Sequence, residues 1–260
     1  MIAIIARTAM ACLFLLSVRS IASAGPPFAT DDPEPVEYRH WEVYLSSIYN
    51  HGARETTATA PHVEVNYGIF PDVQFHILAP LEVAKFEGRA AHYGYGDTEL
   101  GVKYRFYNDE EAGFMAGIFP LLEVPTGRES VGLVGFGSGQ VMTFLPVWFQ
   151  KSWGPWTTYG GGGLWINPGK GNQNFGYVGW LLQRDLSKQL TLGGEVYHQT
   201  PSEIGGPAST GFNLGGIINL SDLHHLLFSA GRDFSGPNLA SFYLGWQFTF
   251  GPGNAKSESP

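Results

Sequence analysis

The chain has 260 residues and a formal net charge of −8, with 35 glycines, 14% aromatic residues and a single cysteine. The length allows one large domain or two small ones. An acidic chain is a poor nucleic-acid binder, because such binding depends on basic side chains that neutralise phosphates. Abundant glycine together with abundant aromatic residues is unusual for a soluble enzyme and suits a membrane β-barrel, where glycine fits crowded inward positions and aromatic residues lie at the interfaces.

The first 24 residues have the pattern of a secretory signal peptide. Arg7 supplies the positive charge, residues 9–18 form a short apolar run, and residues 22–24 form a small-residue cleavage site. Loss of this segment with its two arginines takes the formal charge from −8 to −10. Cys12 is lost as well, so the mature, exported chain is predicted to have no disulfide and no thiol chemistry.

The next segment, residues 25–39 (GPPFATDDPEPVEYR), is rich in proline and acidic residues. Such a composition fits neither a strand nor a helix interior. We expect either an extended segment on the periplasmic side or a plug that reaches into the lumen of a barrel.

Twelve stretches with a period of two follow, as expected for half-buried strands. They cover residues 40–50, 59–67, 73–81, 98–107, 113–124, 139–149, 156–165, 175–185, 189–199, 210–220, 226–233 and 240–250. In the last stretch Phe242, Leu244 and Trp246 share one face with Phe248 and Phe250. A strand of about ten residues crosses a bilayer at a tilt. Strand boundaries stay open across 113–149, because 113–124 is apolar on both faces.

The predicted connections alternate in length. Those after odd-numbered strands are mostly long, such as 51–58 and 82–97, whereas those after even-numbered strands are mostly short turns. This pattern predicts an all-β, transmembrane, antiparallel up-and-down β-barrel of about 12 strands over residues 40–250, with both termini in the periplasm and a flexible tail at 251–260. A soluble β-sandwich has no reason to sort its loops by length, and outward Trp41 and Trp246 argue against it.

Polar and charged side chains collect on the inward faces of these strands. The candidates for the lumen or solute path are Glu42, Tyr44, Glu64, His76, Glu99, Lys103, Arg105, Glu195, Tyr197 and Gln247. A pore lining of mixed charge would set which solutes pass. A salt-bridged filling of a narrow barrel has the same composition, and both interpretations stay open. Inward Tyr44, Tyr197, Tyr243 and Leu78 would either line a route for aromatic solutes or pack the lumen.

Catalytic signals are weak. His198 lies near Thr200 and Ser202, and His51 lies near Thr56, but no third polar group is spaced to orient either histidine as nucleophilic catalysis requires. No catalytic residue is therefore assigned, and a lipid-modifying outer-membrane enzyme is the less favoured alternative.

Two further motifs are more simply structural. His224-His225 resembles a metal pair, but neighbouring side chains point apart and no third ligand is near, so we expect a turn and no metal. The run Gly160–Gly163 lacks the Lys-Ser/Thr of a phosphate-binding loop. We expect it to be part of a crowded strand that faces inward.

Several stretches together resemble a family of bacterial outer-membrane proteins labelled transporter or MetA-pathway of phenol degradation. They are GPPFATDDPEP (25–35), YGYGDTELGVKYRF (93–106), FLPVWFQKSWGPWTTYGGGGLWINPG (144–169), WLLQRDLSKQLTLGGEVYHQTP (180–201), STGFNLGGI (209–217) and HHLLFSAGRDFSGPN (224–238). The resemblance covers nearly all of the mature chain. It implies an outer-membrane barrel without catalytic residues or a cofactor, and a link of some members to phenol-like aromatics.

The sequence thus predicts an outer-membrane channel for passive uptake of small, phenol-like solutes in a Gram-negative bacterium, and not an enzyme. The expected partners are outer-membrane lipid and lipopolysaccharide, the barrel-assembly machinery and a small-molecule solute, with no nucleic acid. The main alternative is a structural barrel with a closed lumen. That alternative is favoured if the inward charges pair and residues 25–39 plug the barrel.

Overall fold

The computed structural model describes residues 26–127 and 137–252. The expected signal peptide at 1–24 and most of the expected tail at 251–260 lie outside these residues. The strands are β1 (Trp41–His51), β2 (Glu55–Phe70), β3 (Val73–Phe86), β4 (His92–Tyr95), β5 (Thr98–Asp109), β6 (Phe114–Ile118), β7 (Leu121–Val124), β8 (Met142–Trp153), β9 (Trp156–Ile166), β10 (Phe175–Asp185), β11 (Leu190–Gln199), β12 (Ser209–Asn219), β13 (His224–Ser235) and β14 (Ala240–Phe250). Within the described ranges, no helix is both long enough and apolar enough to cross a bilayer.

The strands close into one antiparallel barrel. β1 pairs with β14 along its whole length, from Trp41 opposite Phe250 to His51 opposite Ala240. β4 and β5 both pair with β3, and β6 and β7 both pair with β5 and β8, so each of these two pairs forms one interrupted strand of the wall. The wall therefore has twelve strands, and the predicted fold class is confirmed.

The outer surface of the barrel is apolar. On β14, Leu244 is 57% exposed and Trp246 is 53% exposed, while the alternate residue Tyr243 is 8% exposed and faces the lumen. This arrangement is the reverse of a water-soluble sheet and matches strands that face lipid. Among the described strands, each one except the short β4 pairs on both sides, so the wall closes without the long unpaired edge that hydrocarbon does not tolerate. Trp41, Tyr67 and Phe250 pack together at one rim, as an interfacial aromatic girdle does.

The barrel has two different ends. The connections 71–72, 110–113, 154–155, 186–189 and 220–223 are short and lie at one end, which we call the turn end. The long connections 167–174 and 200–208 lie at the other end, which we call the loop end, and so do the described ends of the connection 125–141. The predicted alternation holds with two exceptions, the connections 52–54 and 236–239, which are short although they lie at the loop end.

Several strands are longer than the sequence predicts. Residues 55–58, expected in a polar loop, belong to β2; all four pair with β3, and 56–58 also pair with β1. Residues 82–86, also expected in a loop, complete β3. His224 and His225, expected in a turn, begin β13. In each case polar composition suggested a loop, but backbone pairing with neighbouring strands continues beyond the apolar part of the strand.

The glycine run of β9 lets β8, β9 and β10 approach closely. The whole run was expected to face inward, but only two of its four glycines do. Tyr159 and Trp165 are buried, so Gly161 and Gly163 share the inward face and Gly160 and Gly162 face outward. Gly161 has a φ of 154°, and a Cβ added there would lie 2.1 Å from the carbonyl oxygen of Val147.

Replacing Gly161 by alanine is expected to lower the free energy of unfolding by about 1–3 kcal/mol, because the added Cβ meets a close backbone atom and the φ is unfavourable for an L side chain. Gly176→Ala is the matched control, since a Cβ at Gly176 has no neighbour nearer than 3.9 Å. Urea-unfolding midpoints in detergent compare the two variants. Equal midpoints would contradict the assigned crowding.

Candidate functional site

A segment from outside the wall occupies the lumen. Residues 26–36, which we call the plug, contact inward-facing side chains of β3, β5, β11 and β13. Thr30 and Asp31 are fully buried, and Phe28 packs against inward Tyr159 and Leu181. Proline-rich chain cannot join a sheet, so its backbone groups need side-chain partners from the wall.

Glu195 is the main partner of the plug backbone. Its carboxylate accepts hydrogen bonds from the Ala29 N–H at 2.8 Å and the Thr30 N–H at 2.7 Å. It also accepts one from the side-chain amide of Asn213 at 2.6 Å. Hydrogen bonds to a charged acceptor are stronger than those to a neutral one. Glu195, predicted as a lumen residue, therefore holds the plug and does not line the open cavity.

Lys103 is the second anchor. Its Nζ lies 2.9 Å from Asp31 Oδ1 and 3.5 Å from Asp32 Oδ1, and 5.0 Å from the ring centroid of Phe119. Burial raises the pKa of the Asp31 carboxyl, and the Lys103 ammonium acts in the opposite direction. A buried pair of this kind is costly to break, because the remaining charge loses its partner in a poorly solvated place.

The plug also bonds to other side chains of the wall. Gln74 Oε1 accepts a hydrogen bond from the Val36 N–H at 2.9 Å, and Ser229 Oγ donates one to the carbonyl oxygen of Pro27. The charged residues of the plug were visible in the sequence, but their partners were not. Gln74 and Asn213 could have been found, because they share the inward period of the predicted charged residues.

A network of inward side chains lies beside the plug. His76 Nε2 is 3.0 Å from Glu99 Oε1, and His76 Nδ1 is 2.7 Å from Asn66 Oδ1 and 3.5 Å from Glu64 Oε1. The inward charges therefore pair extensively, as a salt-bridged filling of the lumen would.

A second, smaller network lies on β1 and β14. Tyr44 donates to Glu42 at 2.7 Å and accepts from the amide of Gln247 at 3.0 Å. All three were predicted as lumen residues, and the fold brings them together because β1 and β14 are neighbours in the closed wall.

The plug does not fill the lumen completely. A cavity of about 590 Å³ remains in the half next to the turn end, within the range of about 300–1,000 Å³ that is usual for small-molecule sites. Of the ten predicted residues, six line it, namely Glu42, Tyr44, Glu64, His76, Lys103 and Gln247. The plug contributes Asp31, Asp32 and Glu34. Burial raises the pKa of the Glu34 carboxyl, and the neighbouring charge of Asp32 adds to this.

The other predicted residues lie elsewhere. Arg105 bonds to Asp72 in a turn, with Nη2 2.6 Å from Oδ1. Tyr197 donates to Asp233 at 3.1 Å. Glu99 contacts the ring of His76 but does not line the cavity.

Aromatic residues fill the lumen toward the loop end. Phe119, Leu121, Phe144, Trp148, Trp165 and Phe175 form one buried cluster. The rings of Phe144 and Trp165 stack with centroids 4.8 Å apart. None of these residues was predicted to line the lumen. For Phe119 and Leu121 the reason is that 113–124 is apolar on both faces, which hides the inward one.

The histidines do not assemble a catalytic or metal site in the part of the chain that the structure describes. His198 contacts the hydroxyl of Thr210 at 2.8 Å, not Thr200 or Ser202. His51 contacts Thr56 at 2.9 Å. Neither ring is paired with a carboxylate among the described residues.

His224 and His225 contact different residues. His224 accepts a hydrogen bond from the indole of Trp246, whereas His225 lies 2.7 Å from the side-chain oxygen of Asn219. Over the described ranges, no group of three or more His, Asp or Glu side chains is placed to hold a metal ion.

No protein-family model matches this chain, and no curated protein matches its sequence. Among solved structures it is similar to the COG4313 outer membrane channel from Pseudomonas putida F1, with a TM-score of 0.72 and 14% identity over 84% of this chain and 98% of that one. It is also similar to the KdgM porin (TM-score 0.55, 9% identity, 80% of this chain, 99% of that one). A third similar structure is the translocator domain of autotransporter NalP from Neisseria meningitidis (TM-score 0.52, 12% identity, 82% of this chain, 90% of that one). This similarity is one of fold, and with the apolar outer surface it identifies the chain as a β-barrel of the outer membrane.

Proposed function

We propose that this protein is an outer-membrane channel for passive uptake of small solutes, with residues 26–36 occupying the lumen in the resting state. The proposal rests on how the plug obstructs the lumen. The plug is a separate segment that is held by a few side-chain contacts, and it leaves a cavity of about 590 Å³ beside it. The similarity to a solved outer membrane channel supports the same function.

We further propose that the solutes include phenol-like aromatics. The cavity contains Tyr44, Phe119 and Tyr159 beside polar groups, so it offers both ring contacts and hydrogen-bond partners. The aromatic cluster continues this lining toward the loop end. The sequence resemblance to the phenol-degradation family of outer-membrane proteins supports this solute class. The proposal includes no catalysis, because among the described residues His51 and His198 hydrogen-bond only to hydroxyls and to no carboxylate that would orient them.

A structural barrel with a closed lumen is the second candidate, and two specific observations favour it. The inward charges pair, as with His76 between Glu64 and Glu99. The plug also fills the middle of the lumen. The channel and the structural barrel differ in whether the plug ever leaves the lumen.

Single-channel recording of the mature protein in a planar bilayer separates these candidates. We expect discrete conductance steps that phenol blocks, and larger, longer steps after deletion of residues 26–36. The deletion removes an obstruction without touching any wall strand. Steps in the deletion variant alone would indicate a closed structural barrel, and silence in both proteins would contradict the channel.

A further inference from the structure

We infer that the lumen admits cationic and neutral solutes and excludes anions, an inference that rests on the proposed channel function. It deepens that function by naming the solute charge class. It comes from the distribution of charged groups around the cavity.

The cavity lining is strongly acidic. Its carboxylates come from both plug and wall, and they are Asp31, Asp32, Glu34, Glu37, Glu42 and Glu64. Among the described residues that line the cavity, Lys103 is the only lysine or arginine, and the remaining groups able to carry positive charge are His40 and His76. Carboxylates therefore outnumber basic groups even when both histidines are counted as charged.

The basic groups are committed to particular carboxylates. Lys103 pairs with Asp31 and Asp32. His76 lies between Glu64 and Glu99, so its one charge faces two carboxylates.

The remaining carboxylates of the cavity have weak or neutral partners. The described partners of Glu34 and Glu42 are neutral donors, the Gln150 amide at 3.3 Å and the Tyr44 hydroxyl at 2.7 Å. A neutral donor orients a carboxylate without cancelling its charge. Glu37 lies 3.7 Å from His40, but its side chain is 85% exposed, so that pair is well screened.

The excess of negative charge does not depend on the plug. If the plug leaves, Asp31, Asp32, Glu34 and Glu37 leave with it or move, and Lys103 loses its partners. Among its inward side chains the wall still presents Glu42, Glu64, Glu82, Glu99, Glu123 and Glu195 against Lys103, His62 and His76. The lumen is therefore acidic in both states, although less so without the plug.

A narrow, negatively charged cavity with low-dielectric walls concentrates cations and repels anions. Rings of Asp and Glu give cation selectivity to channels for the same reason. Among small aromatic solutes, neutral phenols and alcohols and protonated amines should pass, and aromatic carboxylates should not.

The first test is the reversal potential of the mature protein and of the plug-deleted protein in a KCl gradient. We expect K⁺ permeability to exceed Cl⁻ permeability by about tenfold, the low end of the enrichment that a charged cleft gives its counter-ion. The ratio should fall by several-fold in the Glu34→Gln/Glu42→Gln double variant. Glu111→Gln removes one charge at an exposed turn of the same end, and it should leave the ratio unchanged.

The second test is liposome swelling with three solutes of similar size, benzylamine, benzyl alcohol and benzoate. We expect swelling with the first two and little with benzoate, and the double variant should admit benzoate faster. A conducting barrel with a permeability ratio near one, or with equal swelling by benzoate, overturns this inference and leaves the channel function standing. A barrel that is silent in both forms overturns the channel function and this inference together.

Discussion

Replacing Lys103 by methionine is expected to raise the ratio of open to closed channel by at least about a hundredfold. In the closed state the variant leaves Asp31 buried without its cation, and losing one member of a buried pair costs about 3–5 kcal/mol. In the open state Asp31 reaches water and this cost disappears. Methionine keeps much of the length of the lysine side chain, so packing against Phe119 is largely retained.

Single-channel open-state occupancy measures this effect. Lys188→Met is the matched control, because it makes the same chemical change on an exposed residue at the turn end and should leave the occupancy unchanged. Burial raises the pKa of Asp31, so protonation relieves part of the cost in acid. The effect should therefore be larger at pH 8 than at pH 5. An occupancy that does not change would show that the ion pair does not hold the plug.

Replacing Leu214 by arginine is expected to lower the free energy of unfolding by about 2–4 kcal/mol, the cost of an Arg on the lipid face near the bilayer midplane. Leu214 lies in the middle of β12, opposite Gly194 and Ala230, and is 62% exposed on the outer surface. Trp246→Arg should behave in the same way.

Guanidinium unfolding of the variants in lipid vesicles measures these free energies of unfolding. Leu220→Arg is the control, since Leu220 is 63% exposed but lies in the turn after β12. Near the interface the cost should be about 0–1 kcal/mol. Equal destabilisation by both substitutions would mean that β12 does not cross the bilayer where its sequence places it.

The facing of most strands is predictable from the sequence because it depends on local alternation. In β14 the residues expected to face lipid are exposed, and Tyr243 is buried. Strand ends were harder to predict. The threonines at 56 and 57 look like loop residues, yet they continue the ladder between β1 and β3. Lipid no longer constrains side chains there, so composition does not mark where backbone pairing stops.

The candidate site was predictable in its members but not in their partners. Glu195 and Lys103 were both expected to face the lumen, and they do. Glu195 holds backbone N–H groups of the plug, and Lys103 holds one of its carboxylates. These partners depend on where residues 29–31 cross the lumen. Contacts between residues more than 70 positions apart leave no periodic signal in the sequence.

The sequence by itself determined the barrel, its strand number, the lipid-facing residues and the presence of charged side chains on the inward faces, because these follow from a period of two and from composition. Only the tertiary structure decided that residues 26–36 lie inside the barrel and that aromatic rings fill the loop half. It also decided which carboxylates have basic partners and which have neutral ones. Closure of the wall sets these contacts, because it brings side chains from distant strands around one shared lumen.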